Sequence, residues 1–400
     1  MLTVDEALKQ ILSHAGRQPT ERAPLADVGG LVLAEEIVSD IDSPPFAKSL
    51  MDGYAVRGAD LVEGKATLEV IGELAAGRES TLSLGPGTAI QIMTGAPIPT
   101  GADAVVMVER SNREGDQVHL DDASFLPNQN IMPRGRELTS GQRVLEPGWL
   151  LGGPECGLLA TLGRVTPLVH RRPRLAVLAT GDEIVPPDQQ PASGQIRNSN
   201  ESTVLALAQR AGVDVASLGI VGDDTRKLEE LIREGLQADV LVLTGGVSAG
   251  KKDFVPEVLE RLGVAKVFHH VALKPGKPVW FGRHADGLVF GLPGNPVSVL
   301  VCFELFVRTA LRARQSRADA LPELVPATLT ADWHYPTRRE TYHPARMRMT
   351  SSAWEVTPLP WFGSPDLCAV TNANGLLVGP VTDQLHPAGS VMSVLPLRRD

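Results

Sequence analysis

Lys274 and Lys277 lie in the run Lys274-Pro-Gly-Lys-Pro278, each followed by a proline. Proline fixes its own φ and biases the preceding residue toward extended backbone. The two ammonium groups are therefore expected to be aimed at one place, as a phosphate or oxyanion ligand would need. Two other loops share this character. Thr244-Gly-Gly-Val-Ser-Ala-Gly250 follows the apolar run Val240–Leu243, and Leu292-Pro-Gly-Asn-Pro296 follows Leu288–Phe290. Glycines at strand ends let backbone N–H groups approach an anion closely. In the first loop Gly245 and Gly246 permit that approach, and Ser248 can donate. Asp253 just beyond could reach the same cation as Glu183. In the second, Pro296 suits the first turn of a helix, whose free N–H groups attract anions, and Ser298 is close enough to join. Three such loops on one sheet would hold a phosphate-like ligand.

Thr180-Gly-Asp-Glu183 ends a further apolar run. Carboxylates at a strand end can hold a divalent cation, and Mg2+ prefers few carboxylates together with water and phosphate oxygens. Each motif also has a purely structural reading: a turn capped by Asp182, a helix capped by Asp253, a solvated lysine pair, a rigid strand-to-helix turn. Ser49-Leu-Met-Asp-Gly-Tyr-Ala55 and Met93-Thr-Gly-Ala-Pro97 are equally ambiguous, and composition alone does not single out Asp52. His269-His270 reads more readily as a pair of partly buried strand histidines than as a metal pair. No G-x-S-x-G, P-loop or Cys/His pair at useful spacing is present.

The elements that must position these residues follow from periodicity. Thr3 and Glu6 form a capping box ahead of apolar residues at helical spacing, so a helix is expected over 4–14. From Val56 to Leu150, alternating runs such as Thr67–Ile71, Thr88–Met93 and Ala104–Glu109 are broken by glycine and proline turns, a β-rich pattern. Glu155–Leu162 reads as a short helix. Residues 173–312 alternate strand and helix. Strands are expected at Leu175–Ala179, Val213–Val221, Val240–Leu243, 267–273, 279–281 and 288–291. Helices are expected at Glu201–Ala211, opened by Asn200 or Ser199, at Thr225–Leu236 behind Asp224, at Val255–Leu262, and at Val297–Arg312. That rhythm implies a mostly parallel sheet covered by helices on both faces, with ligands outside the carboxyl ends of its strands. Residues 313–323 read as a linker. Short strands at Ala327–Leu329, Ala345–Met349, Glu355–Pro358, Leu376–Pro380 and Val391–Leu395 read as a small β domain.

A chain of 400 residues, 43% hydrophobic, is too long for one compact core. The domain expectation is an N-terminal region over 1–172, with helical and linker parts near 1–45 and 136–172 and a β-rich lobe near 46–135. An α/β domain over 173–318 and a C-terminal β domain over 324–400 follow. No apolar stretch reaches the length of a membrane span. Met1–Leu12 reads as an amphipathic helix, so no secretory signal is expected. Cys156, Cys302 and Cys368 lack metal spacing and fit a reduced cytosol. A formal charge of −9 and 4% aromatic residues argue against nucleic acid as a partner.

Together, SLMDGYAVR from Ser49, IMTGAPIPTGADAVVMVE from Ile92, TGDE from Thr180, GQIRNSN from Gly194, GGVSAGKKD from Gly245, KPGKPV from Lys274 and GLPGNPVS from Gly291 closely resemble the molybdopterin molybdenumtransferase family, which includes MoeA and the gephyrin E domain. The resemblance runs from about residue 3 to about residue 396. It implies a multidomain α/β and β fold: a central three-layer α/β/α, MogA-like domain, β-rich N-terminal lobes and a small C-terminal β domain. It implies a cytoplasmic homodimeric enzyme that takes adenylylated molybdopterin and molybdate, uses Mg2+, and yields molybdenum cofactor and AMP, with a molybdopterin adenylyltransferase as a possible partner. By resemblance, Glu183, Asp223 and Asp253 handle Mg2+ and nucleotide, with Glu183 and Asp253 as metal ligands. Lys274, Lys277, Ser298, Arg339 and Ser364 surround molybdate. Asp52 and Thr94 match N-terminal residues that reach the site from a partner subunit. Thr180, Gly181, Asp182, Gly245, Gly246, Ser248, His270, Pro293 and Pro296 fall in substrate-binding segments. The chain departs from its relatives at His270, where many have lysine, at Asn198 and Glu137, where aspartate is common, and at Pro365, after Gly363-Ser364. Two other readings are open: a scaffolding protein that keeps the fold without the activity, and a hydrolase of another nucleotide pyrophosphate.

Overall fold

The computed structural model describes residues 1–78, 81–246 and 254–397. The chain forms two compact units. The first comprises Met1–Glu35, Pro147–Cys156 and Val165–Asp400, the second Glu36–Glu146 and Gly157–Arg164.

The heart of the first unit is a six-stranded sheet in the order Asp214–Val221, Arg174–Thr180, Val240–Thr244, Gly287–Leu292, Trp280–His284, Ala265–His269. The first four strands are mutually parallel, Trp280–His284 runs antiparallel to them, and the edge strand Ala265–His269, antiparallel to Trp280–His284, regains the common direction. Arg174–Thr180 and Val240–Thr244 are almost wholly apolar and buried, as strands covered on both faces must be. The helix Val4–His14 carries the expected capping box, and its Val4, Ala7, Leu8 and Ile11 are buried against the sheet's core cluster. Asp224 caps the helix Thr225–Gly235. The preceding helix, Ser199–Arg210, is capped by Asn198 rather than by Ser199 or Asn200. Asn198 keeps extended backbone, and its side chain accepts from Glu201 N. The last helix does not run evenly over 297–312. It extends from Pro296 to Arg314 and widens into a π turn over Phe303–Val307, where Glu304 and Arg308 form a nearly buried, doubly bonded ion pair.

A second correction concerns the lysine loop. The run 267–273 is not one strand. The sheet strand ends at His269, and Leu273–Lys274 is a separate short strand that pairs in parallel with Glu340 and Thr341. Its sheet is therefore that of the C-terminal segment. There Glu340–Met349, Trp354–Pro358, Val325–Leu329, Val391–Pro396 and Gly375–Gly379 close on one another as a small barrel. The premise of three loops on one sheet fails for Lys274 itself. The loop still reaches the same edge. It leads into Trp280–His284, which runs antiparallel to Gly287–Leu292 and so begins where that strand ends, with Trp280 opposite Gly291. The barrel and the α/β layer share a core: Tyr342, Val370, Leu376 and Leu395 cluster with Phe303, Leu305 and Phe306.

The second unit centres on a six-stranded sheet in the order Ala104–Met107, Gly53–Val56, Thr88–Ile92, Lys65–Leu74, Gln117–Asp121, Ser111–Glu114. Alternate residues fall on opposite faces, and both faces are packed: Tyr54, Val56 and Ala89 belong to one cluster, Ala55, Ile90 and Ile92 to another. The strand expected over Ala104–Glu109 stops at Met107, where Val108–Arg110 turns as a 3-10 helix.

Candidate functional site

Three loops lie at the carboxyl edge of the parallel strands. After Thr180, a cleft of about 360 Å³ is lined by Thr180, Gly181, Asp182, Glu183, Gly222, Asp223 and Gly246 together with the apolar Leu228, Phe254 and Val255. Its lip is acidic. Asp182 Oδ1 accepts from Asp223 N at 2.9 Å, which ties the loop after one strand to the loop after its neighbour. Glu183 and Asp223 are exposed, and among the described residues no lysine or arginine lines the cleft. Ser248 and Asp253 lie outside the described residues, so the expected Glu183–Asp253 pair is not described. Among the described residues no three His, Cys, Asp or Glu side chains converge as a metal cluster. Gly245 N donates to Leu292 O at 3.1 Å, joining this cleft to the loop that follows Leu292.

That loop is stitched from both sides. Gly294 O accepts from Asn200 Nδ2 at 2.7 Å. Asn295 Nδ2 donates to Ser364 Oγ at 2.8 Å, and Val297 N to Ser364 O at 3.0 Å. Ser364 is thereby held at the start of the Pro296 helix, with Pro365 in place. Ser298 is buried on that helix's first turn, 3% exposed. Pro293 is buried and Pro296 half-buried beside it.

The lysine loop is the third. Its Lys274–Pro275 bond is cis. Lys274 is half-buried and Lys277 exposed. Arg339 Nη1 donates to Leu273 O at 2.9 Å, fixing the backbone immediately before Lys274. The Lys274 ammonium lies 4.3 Å from the centre of the Tyr335 ring. Val271 N donates to Lys277 O, and His270 N to Val279 O, closing the loop as a hairpin. His270 takes a left-handed φ of 76° and stacks on His269 at 3.8 Å between ring centres. That conformation is uncommon for a residue with a Cβ, and periodicity gave no sign of it.

Asp52 and Thr94 belong to the second unit and meet there. Asp52 Oδ1 accepts from Thr94 N at 2.6 Å and from Thr94 Oγ1 at 2.8 Å. These two bonds hold the Asp52 carboxyl below the usual carboxylate range. Gly53 is required beside it because a Cβ there would collide with Val106 O on the adjacent strand. Glu137, at a departure position, accepts from Ser43 Oγ at 2.7 Å and lies 3.6 Å from Lys48.

The structure thus brings Thr180, Asp182, Glu183 and Asp223 to one cleft, Ser298, Asn295 and Ser364 to one loop cluster, and Lys274 to Arg339. Sequence reasoning missed Tyr335, Asn295 and Asn200. Asn295 and Asn200 were visible inside quoted motifs but carried no charge to mark them. Tyr335 had one signal: it is one of three tyrosines in a chain poor in aromatic residues.

Comparison with known proteins gives the family. Residues 2–163 match the family described as MoeA N-terminal region (domain I and II), 176–313 the probable molybdopterin binding domain, and 326–397 the MoeA C-terminal region (domain IV). A molybdopterin molybdenumtransferase of Staphylococcus epidermidis is 33% identical over 400 residues, covering 98% of this chain and 95% of that protein. One from Staphylococcus aureus is 32% identical over 410 residues, covering 100% and 96%. The crystal structure of a molybdopterin biosynthesis MoeA protein from Pyrococcus horikoshii superposes with a TM-score of 0.80 at 30% identity, each chain covered in full. With all three regions matched in order and relatives aligned end to end, the chain belongs to the molybdopterin molybdenumtransferase family.

Proposed function

We propose that this chain inserts molybdenum into molybdopterin, cleaving adenylylated molybdopterin in the presence of molybdate to release AMP and molybdenum cofactor. The observation that carries this reading is the pairing of two unlike subsites at one sheet edge: an acidic cleft, and a cationic loop cluster joined to it through the Gly245–Leu292 hydrogen bond. Lys274, Lys277 and Arg339, with donors from Ser298 and Ser364, suit molybdate. Phosphates suit the glycine-lined floor of the cleft, and Leu228, Phe254 and Val255 offer an apolar wall for the adenine.

The acidic lip fits a divalent cation, because its carboxylates face no basic side chain among the described lining residues. Glu183 would hold Mg2+ together with Asp253, and Asp182 and Asp223, which line the same cleft as Glu183, would orient its waters. An ion bound there would supply Lewis acidity toward a phosphoryl oxygen as AMP departs. The chain's own residues supply positioning and charge stabilisation, with no covalent enzyme intermediate. Asp52 and Thr94 complete the site from the partner subunit of a homodimer, and the enzyme works in the cytoplasm. A molybdopterin adenylyltransferase that hands over its product is the natural partner. Among the described residues no helix is long and apolar enough to cross a membrane.

The test is AMP release from adenylyl-molybdopterin by the purified protein. AMP should appear only when molybdate and Mg2+ are both present, and chelation of Mg2+ should stop it. A sample that releases none under those conditions refutes the assignment.

A further inference from the structure

Among the described residues, no carboxylate lies within ion-pair distance of Lys274, whereas Lys48 and Lys65 each have such a partner. What lies against its ammonium is the face of Tyr335, 4.3 Å from the ring centre. That ring is itself held. Trp333 is parallel to it at 5.9 Å and 5°, His343 meets it edge-on at 5.2 Å, and Trp361 packs at 6.4 Å. Trp333 and His343 are buried, at 7% and 5% exposure. His343 Nε2 is bonded to Leu359 O, while its buried Nδ1 has no hydrogen-bond partner. The imidazole therefore serves the cluster as a neutral ring, consistent with burial pushing its pKa down. Four of the chain's scarce aromatic and imidazole rings are thus gathered behind one ammonium.

We propose that Tyr335 is a positioning residue for Lys274: its ring face fixes the ammonium electrostatically while leaving the whole positive charge for an incoming oxyanion. The chemistry favours a ring here over a carboxylate. An aspartate or glutamate at this place would hold the ammonium more firmly, but it would neutralise the charge and repel a doubly negative oxyanion. A ring quadrupole attracts a cation through its negative face with no net charge of its own. Lys274 is fixed from two directions at once, since Arg339 holds the carbonyl of Leu273 and Tyr335 holds the far end of the side chain. Both restraints come from the barrel segment, to which the lysine strand is hydrogen-bonded.

This inference rests on the oxyanion reading of the lysine loop, and the experiment separates the two. Molybdate KM, kcat and the KM for adenylyl-molybdopterin are measured for wild type and for Tyr335→Phe, Tyr335→Leu and Lys274→Met, with thermal unfolding recorded for each. Tyr335→Phe keeps the ring and should behave as wild type. Tyr335→Leu should raise molybdate KM by about three- to tenfold, the size of a partly desolvated cation–ring contact, and leave the KM for the nucleotide substrate unchanged. Pentafluorophenylalanine at position 335 keeps the shape of Phe but reverses the quadrupole, so it should reproduce the Leu effect in a protein that unfolds at the wild-type temperature. Equal molybdate KM for the Phe and pentafluorophenylalanine proteins overturns the proposal. If Lys274→Met itself leaves molybdate KM unchanged, the oxyanion reading falls first and the role of Tyr335 falls with it.

Discussion

Gly276 at the centre of the lysine loop makes a strict prediction. Its φ is +118°, and a Cβ built there would stand 2.6 Å from Cys302 Sγ and 2.9 Å from Leu273 Cδ2. Both neighbours are fully buried. Cys302 packs as a neutral thiol, since burial pushes its pKa far above the usual thiol range, and its Sγ lies 3.7 Å from Gly276 O. Gly276→Ala therefore meets two separate costs. Holding a residue with a Cβ in that backbone region costs about 1–3 kcal/mol, and forcing a methyl into a filled core costs about 1–3 kcal/mol. The total is about 2–6 kcal/mol if the loop keeps its place, and the loop can reduce it by moving away from Cys302, carrying Lys274 and Lys277 with it.

The two costs can be separated because Cys302→Ala removes the nearest obstructing atom without touching φ. In the wild-type background that change should destabilise by about 1–2 kcal/mol through the cavity it leaves. In the Gly276→Ala background it should restore stability, so the double variant falls short of the summed single costs by about 1 kcal/mol or more. Urea unfolding midpoints of the four proteins at constant slope measure this. Molybdate KM measured in parallel should rise for Gly276→Ala and recover in part in the double variant. Additive stability costs would refute the steric account. A destabilised Gly276→Ala protein with wild-type molybdate KM would refute the claim that this loop's position sets oxyanion binding.

Arg339→Lys should raise molybdate KM by about tenfold, because an ammonium lacks the planar fork with which the guanidinium holds Leu273 O and can aim its other N–H groups at the oxyanion; a saturation curve in molybdate checks it. His343 gives a pH signature. Burial first, then the nearby Lys274 charge, pushes its pKa down to about 4. The unfolded chain, with a pKa of about 6.5, then binds more protons between those values, so this residue's contribution is intact above about pH 6.5 and is lost as pH falls toward 4, by about 3 kcal/mol. Urea midpoints of wild type and His343→Gln across that range should diverge in slope, and parallel profiles would refute the assignment. At low molybdate, Asp52→Asn and Lys274→Met should each lower AMP release to a small fraction of the wild-type rate. After subunit exchange the mixture should recover about a quarter of the wild-type rate, because half the dimers are mixed and each mixed dimer has one whole site. A mixture that stays inactive removes the shared-site proposal.

Local chemistry made much of this legible. Apolar runs bounded by glycine located Arg174–Thr180, Val240–Thr244 and Gly287–Leu292 within a residue or two, and the Thr3–Glu6 box fixed the first helix. What stayed hidden depended on residues far apart in the chain. Val271-Ala-Leu273 has the composition of a core strand, and nothing within it says that its neighbour Lys274 will pair with Thr341. Tyr335 is ordinary until Lys274, distant in sequence, is placed on its ring. Asn198 was passed over as a cap because Ser199 and Asn200 are as good by type. The choice is made by Asn198's extended backbone and by the bond from Asn198 N to Val185 O that holds it there.

The pairing of Lys274 with the barrel also bears on how the site works. A cation on a free loop would have to be ordered each time an oxyanion arrived, and that entropy would be subtracted from binding. Here the lysine strand is added to Glu340–Met349 of a closed barrel, and the barrel segment's Tyr342, Val370, Leu376 and Leu395 are buried in the same core as Phe303 and Leu305 of the helix that starts at Pro296. Lys274 and Ser298 are thus mounted on elements that share one packed interior, and close packing resists relative displacement. In the proposed reaction, charges fixed in this way before the ligand arrives would cost no reorganisation as negative charge shifts between molybdate and the departing phosphate. The arrangement also explains why the cationic and acidic subsites come from different sheets. If both rode on adjacent loops of one sheet, Lys274 would lie within reach of Glu183 or Asp223 and pair with it. Under the proposed function, a lysine anchored to the barrel would keep its charge for the oxyanion, and the carboxylates would keep theirs for a cation.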